Sequence, residues 1–148
     1  MQASQKVTPF LWFEKDAGKA AKFYVSIFRS AKIMSESPQS VTLDFQGQTL
    51  ILFNGGPTFQ LSPAVSLLVS CKTQEEIDSY WGPLLEGGKP SRCGWLTDKF
   101  GLSWQIIPEE LPSLLGNPDR AKAQRAMKAM MSMVKLDIQR LRDAAAAT

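Results

Sequence analysis

The sequence predicts an α+β fold made of two tandem βαβββ modules with a C-terminal helical appendage. Three observations carry this expectation. The order strand, helix, three short strands occurs twice along the chain. A shift of 56 positions lays Leu11 on Leu67, Phe13 on Val69, Ala21 on Ile77, Tyr24 on Tyr80 and Phe28 on Leu84, so the halves share one plan. After Pro108 the alternation typical of strands gives way to helical spacing alone.

The first module is expected at about residues 6–56. Val7, Phe10, Leu11, Trp12 and Phe13 give a strand-like run from Lys6 to Phe13. Asp16 stands where an N-cap would, and Ala17, Ala20, Ala21, Tyr24 and Phe28 recur at helical steps, predicting an amphipathic helix that ends near Phe28. Strands are expected at Ala31–Glu36, Val41–Phe45 and Thr49–Phe53, the last two joined tightly through Gly47-Gln48. Asn54-Gly55-Gly56-Pro57 then breaks the chain and reads as a turn between modules.

The second module is expected at about residues 64–108. Ala64 to Cys71 is strand-like, and Thr73-Gln74-Glu75-Glu76 has the pattern of a capping box, in which a hydroxyl and a carboxylate each satisfy an orphan N–H. Ile77, Tyr80, Trp81, Leu84 and Leu85 mark the apolar face of a helix that Gly87-Gly88 ends, with Pro83 predicting a kink or an irregular last turn. A short strand fits Lys89–Arg92, and clearer ones fit Cys93–Thr97 and Leu102–Pro108, joined by the turn Asp98-Lys99-Phe100-Gly101. In the appendage, about 119–147, Asp119 and Asp137 are candidate N-caps, and Ala123, Met127, Met130, Met131 and Val134 form one stripe expected to pack as core or as a dimer contact.

At 148 residues and 44% hydrophobic content the chain is sized for one domain with one core. The net charge of +3 is concentrated after residue 118, where Lys and Arg outnumber Asp and Glu; elsewhere the two signs nearly balance. Basic residues interspersed with Ala and Met at helical spacing read as a solvated helix face, so no nucleic-acid partner is expected. No stretch has the length and apolarity of a membrane span, and the N-terminal residues lack a signal layout, so no membrane association and a cytoplasmic location are expected. There are two cysteines and no histidine. Without a C-x-x-C, two free thiols in a reducing compartment are expected.

Candidate site residues come from what two sheets with a cleft would expose. Phe10, Trp12, Phe53, Phe59, Trp95 and Trp104 place aromatic rings on predicted strands, where alternation sends about half to the helices and half to the cleft. An aromatic wall with a few polar groups suits a flat or apolar small molecule. Gln105 and Thr8 are the neutral polar candidates, able to fix a carbonyl but not to act as a base unaided. Cys93 is the one weak candidate for nucleophilic chemistry, which needs a neighbouring cation or base, Lys99 or Arg92, to activate it.

Thr8-Pro9-Phe10-Leu11-Trp12-Phe13, Phe23-Tyr24-x-x-x-Phe28, Phe53-Asn54-Gly55-Gly56-Pro57, the stretch from Cys93-Gly94-Trp95-Leu96 through Asp98, Phe100-Gly101 and Ser103-Trp104-Gln105, and Lys135-Leu136-Asp137-Ile138 together resemble the PhnB-like family. That family carries the inherited label 3-demethylubiquinone-9 3-methyltransferase. It is a branch of the glyoxalase/bleomycin-resistance/dioxygenase, or vicinal oxygen chelate, superfamily. The resemblance implies that superfamily's fold, homodimeric assembly, and a divalent metal held by four side chains from the first and last strands of the modules. Carried over by motif, those positions fall on Thr8, Ala64, Ile51 and Gln105, of which only Gln105 has a suitable ligand. No metal and no other cofactor is therefore expected. A methyl donor would want a Gly-rich turn after a strand of a parallel sheet, and Asn54-Gly55-Gly56-Pro57 is a poor match because its proline does not suit a helix N-terminus. The expectation is a metal-independent small-molecule-binding homodimer. The alternative is an enzyme, either a glyoxalase-type lyase or isomerase or the methyltransferase of the family label.

Overall fold

A computed structural model describes residues 5–148, so Met1–Ser4 of the N-terminal stretch read above lie outside it. The chain divides into two compact units at Ser62 and Pro63.

The first unit runs β1 (Phe10–Phe13), α1 (Ala17–Ile27), β2 (Ala31–Glu36), β3 (Ser40–Phe45) and β4 (Gln48–Asn54). Its sheet has the order β1-β4-β3-β2, with β1 and β4 parallel and the other pairs antiparallel. Alternation sorts the side chains: Leu11, Phe13, Val41, Leu43, Leu50 and Leu52 are buried on the side covered by Ala17, Ala20, Ala21 and Tyr24 of α1. The small alanines let the helix come close, and each fully buried leucine contributes roughly 1.5–3 kcal/mol by leaving water.

Two local details differ from expectation. The β3–β4 link turns at Gln46 and Gly47, both with positive φ, and Gln48 already pairs with Phe45, so the strands run one residue further than the glycine position suggests. Asp16 precedes α1 but makes no side-chain cap. The first N–H of the helix, at Ala17, instead donates to Oδ1 of Asn54 at 2.8 Å, a contact across 37 residues.

The second unit runs β5 (Ser66–Cys71), α2 (Gln74–Leu85), β6 (Lys89–Pro90), β7 (Trp95–Thr97) and β8 (Ser103–Pro108), then α3 (Leu111–Leu115), α4 (Arg120–Met131) and α5 (Ile138–Ala146). The sheet order β5-β8-β7-β6 repeats that of the first unit. Thr73 caps α2 by accepting from Glu76 N–H at 3.1 Å, while the Glu76 carboxylate accepts from Lys72 N–H at 2.9 Å, one residue earlier than in the standard box. Pro83 sits inside the last turn of α2, and Gly87 and Gly88 follow the helix. Asp98 shapes the β7–β8 turn, accepting from Phe100 N–H at 2.8 Å, Leu102 N–H at 3.1 Å and the Trp104 indole at 2.9 Å.

Cys93 was expected on a strand; it lies in the turn before β7 with φ of +59°, followed by Gly94 at +84°. Here Cys93 N–H donates to Met133 carbonyl and Gly94 N–H to Val134 carbonyl, tying the turn to the appendage. The appendage also rests on a core of Ile107, Leu111, Met133, Leu136 and Leu141, and on the Gln74 amide, which donates to Leu136 carbonyl and accepts from Ile138 N–H. Asp119 and Asp137 cap α4 and α5 as expected. The short α3 has no counterpart in the sequence reading. The methionine stripe packs only in part: Met130 rests against this core and Ala126, outside the stripe, is fully buried, whereas Met127, Met131 and Val134 are 43%, 56% and 47% exposed. Among the described residues no helix is long and apolar enough to cross a membrane.

Candidate functional site

Each sheet keeps one face free of its own module helix, and the strand registers state which side chains share that face. In the first unit Phe10 lies beside Ile51 and Trp12 beside Phe53, with Thr42 and Ser40 completing the rows on β3. The rings touch in sequence: Phe10 to Phe53 at 5.1 Å, Phe53 to Trp12 at 5.3 Å and Trp12 to Phe59 at 5.0 Å between centroids, the last two edge-on. Phe10 and Phe59 are 56% and 62% exposed, large values for rings of this size. Phe59 comes from the loop after β4, not from a strand, and joins the set by packing on Trp12.

Trp12 is held from two sides. Its indole N–H donates to Gly56 carbonyl at 2.9 Å, and the ring lies against Gly55, where an added Cβ would overlap the indole at Cε2. Asn54-Gly55-Gly56-Pro57, read from sequence only as a break, therefore positions this tryptophan.

In the second unit the free face carries different chemistry. Ser103 lies between Ser66 and Thr97, and Gln105 between Leu68 and Trp95. The Gln105 amide N–H donates to Ser66 Oγ at 2.9 Å. Ser103 Oγ is buried and has no hydrogen-bond partner, a costly state for a hydroxyl unless it is completed by a water or a ligand. Ser66, Thr97 and Ser103 went unnoticed in the sequence; the signal was their period-2 spacing from Gln105 and Trp95.

The remaining candidates fall as follows. Trp104 is 2% exposed and points to the α2 side, its indole committed to Asp98, so it packs the core and does not line the free face. Trp95 is half-buried on the free face beside Gln105. Thr8 is half-buried just before β1. Cys93 has Met131 Sδ 3.8 Å from its Sγ. The other thiol, Cys71, is fully buried, and burial followed by the charge of Glu76 pushes it up to about 12, which removes it from nucleophilic chemistry near neutrality.

The four positions the superfamily pattern uses for a divalent metal do not fit one. Ile51 and Ala64 offer only carbon, Thr8 a hydroxyl, and Gln105 a single amide oxygen, too few donors for a divalent site. Register also corrects the pairing of these positions: Phe10 and Ser66 mark equivalent points of the two modules, their partners are Ile51 and Ser103, and the residue equivalent to Gln105 is therefore Phe53 rather than Ile51. Neither Ile51 nor Phe53 can ligate. Among the described residues no three His, Cys, Asp or Glu side chains gather as a metal site.

A hollow of about 240 Å³ lies at the start of α2 and α5, lined in part by Thr73, Gln74, Asp137 and Arg142. Its polar groups already serve the fold: Thr73 and Asp137 are caps, Gln74 holds the appendage, and Arg142 pairs with Glu110 at 2.6 Å.

With this geometry in view, the comparisons decide the family. The model of the 3-demethylubiquinone-9 3-methyltransferase family matches residues 5–107. The chain belongs to this PhnB-like family. A PhnB protein from Bacillus cereus, provisionally described as a 3-demethylubiquinone-9 3-methyltransferase, is 33% identical with a TM-score of 0.64, over 70% of this chain and 99% of its own. Two more distant structures share the fold. A genomically encoded fosfomycin resistance protein from Listeria monocytogenes is 15% identical, TM-score 0.55, over 72% of this chain and 94% of its own. A lactoylglutathione lyase from Agrobacterium tumefaciens is 19% identical, TM-score 0.50, over 75% and 98%. These show that the PhnB-like chain has the fold of the glyoxalase-type proteins, and the two repeated modules fit it. No curated protein matches the chain. The family model ends at Ile107, so α3, α4, α5 and the Lys135-Leu136-Asp137-Ile138 motif lie beyond it.

Proposed function

We propose that this PhnB-like chain binds a flat, largely apolar small molecule without the help of a divalent metal, and that the free face of its first sheet is the surface that takes it. The observation supporting this reading is the run of touching rings Phe10, Phe53, Trp12 and Phe59. Rings left this exposed offer a planar ligand stacking and edge contacts while water is released. Thr8, just ahead of β1, adds a hydroxyl to the first unit, while Gln105 with Ser66 and Trp95 form a separate polar surface on the second. They are neutral donors and acceptors that favour a carbonyl or hydroxyl over a charged group. A homodimer and a cytoplasmic location belong to the same reading, the first because members of the superfamily commonly pair, the second in keeping with two free thiols.

Titration with a panel of quinones and flat aromatic compounds tests this directly: a binder quenches tryptophan emission saturably, and the quench weakens in Phe10→Ser and Phe53→Gln. Emission that no compound in the panel alters would sink the reading.

The family description favours one second reading, a methyltransferase. Calorimetry separates the two, since tight uptake of S-adenosylmethionine would favour the transferase and silence would count against it. A glyoxalase-type lyase would require a stoichiometric divalent metal in protein purified without chelator.

A further inference from the structure

Two soft sulfur atoms meet on the second unit, one of them, Met131, beyond the matched family stretch. Cys93 Sγ and Met131 Sδ are 3.8 Å apart. Met131 is 56% exposed, Met127, one turn earlier on α4, is 43% exposed, and Cys93 is half-buried. Backbone geometry, not side-chain chance, sets the approach. Cys93 and Gly94 donate their N–H groups to Met133 and Val134, while Met133 N–H donates to Met130 carbonyl at the end of the helix. Cys93 also holds a φ of +59°, a region that disfavours any residue with a Cβ and is kept where the surroundings fix it.

We propose that Cys93 and Met131, with Met127 completing the set, form a surface site for a soft monovalent cation of the copper(I) class. Thiolate and thioether ligands select such ions, whereas hard divalent ions want carboxylate, carbonyl or imidazole donors. Metal–sulfur bonds of about 2.3 Å meeting at a trigonal angle separate two sulfurs by about 4 Å, close to the spacing found here. Charge points the same way. The site sits in the basic tail, with Lys128 in the last turn of α4, so a second positive charge is disfavoured, while one cation on one thiolate is neutral. Binding releases the thiol proton to solvent and forms the metal–sulfur bonds with no change of oxidation state.

Reduced protein is titrated anaerobically against the copper(I) complex of bicinchoninate. One copper(I) per chain is expected to transfer, with a sulfur-to-copper band in the ultraviolet. Met131→Leu, an exposed and volume-conserving change, is expected to weaken transfer by about tenfold or more, and Met127→Leu by less. Cys93→Gly, which suits the positive φ and leaves the buried Cys71 in place, is expected to abolish it; Cys93→Ser serves if the glycine variant does not fold. Transfer unaffected by Met131→Leu would mean a solitary thiol and overturn the proposal. So would undiminished transfer in Cys93→Gly, failure of the parent to compete, or zinc(II) bound more tightly than copper(I).

Discussion

On the helix-free side of the first sheet, β1 and β4 present Phe10, Trp12, Ile51 and Phe53; at the register-equivalent places of the second sheet, β5 and β8 present Ser66, Leu68, Ser103 and Gln105. The helix sides differ far less, Leu11 and Leu52 in one answering Leu67 and Trp104 in the other, all apolar. Side chains under a helix must fill a packed layer, and that restricts them to apolar types of suitable volume. A face without a helix has no such demand, so its chemistry is open to function. The contrast separates what makes the fold from what gives each unit its own surface.

Substitutions that break or sharpen this contrast fall in a clear order of size. The largest effect is expected on the helix side of the second unit. Asp98→Ala strips three donors of their acceptor, two of them inside the hairpin and one on buried Trp104. It should cost roughly 3 kcal/mol or more in urea unfolding, with no comparable penalty from any single change on either free face. Next comes Gly55→Ala, whose methyl overlaps the Trp12 ring. Displacing the indole should cost about 1–3 kcal/mol, visible as a lower urea midpoint and altered tryptophan emission.

Phe53→Gln makes the first face resemble the second at that row, removing ring contacts to both Phe10 and Trp12. Affinity for a flat aromatic ligand should fall about tenfold while the protein stays folded, measured by fluorescence titration alongside circular dichroism. The reverse exchange, Gln105→Phe, should leave that affinity nearly unchanged. The smallest effect belongs to Ser103→Ala. Removing an unpartnered buried hydroxyl should leave stability unchanged or raise it by up to about 1 kcal/mol, and a marked loss in urea unfolding would reveal a partner for that oxygen.

Much of the fold was legible because its signals are local. Period-2 and period-3.6 patterns located both modules, and Thr73, Asp119 and Asp137 cap helices because their side chains reach N–H groups two or three residues ahead. What the sequence hid depends on distance. Asn54 caps α1 from the far end of β4, and nothing near Asp16 reveals that its own side chain is not used. The match of Gln105 to Ile51 failed because the first parallel pair joins residues 41 apart and the second joins residues 37 apart, so no constant offset aligns both strands. The stripe on α4 was visible as a period, but which side of a helix is covered depends on elements far along the chain: Met130 meets the core, Arg125 donates to the Ala144 carbonyl of α5, and Met127 and Met131 stay exposed. For the candidate site, alternation foretold that only some of the rings would face outward. It could not tell Trp104 from Trp12, since that distinction rests on strand parity and on Asp98.

We propose ligand binding on the ring-lined face of the first sheet. The indole N–H signals of Trp12, Trp81, Trp95 and Trp104 in a two-dimensional nitrogen–proton spectrum test it most directly, because the four rings sample that face, the α2 core, the second free face and the Asp98 turn. Titration with a quinone should move the Trp12 signal saturably and leave Trp81 and Trp104 in place. A Trp12 signal that stays still while a bound compound shifts Trp81 or Trp104 would contradict the account.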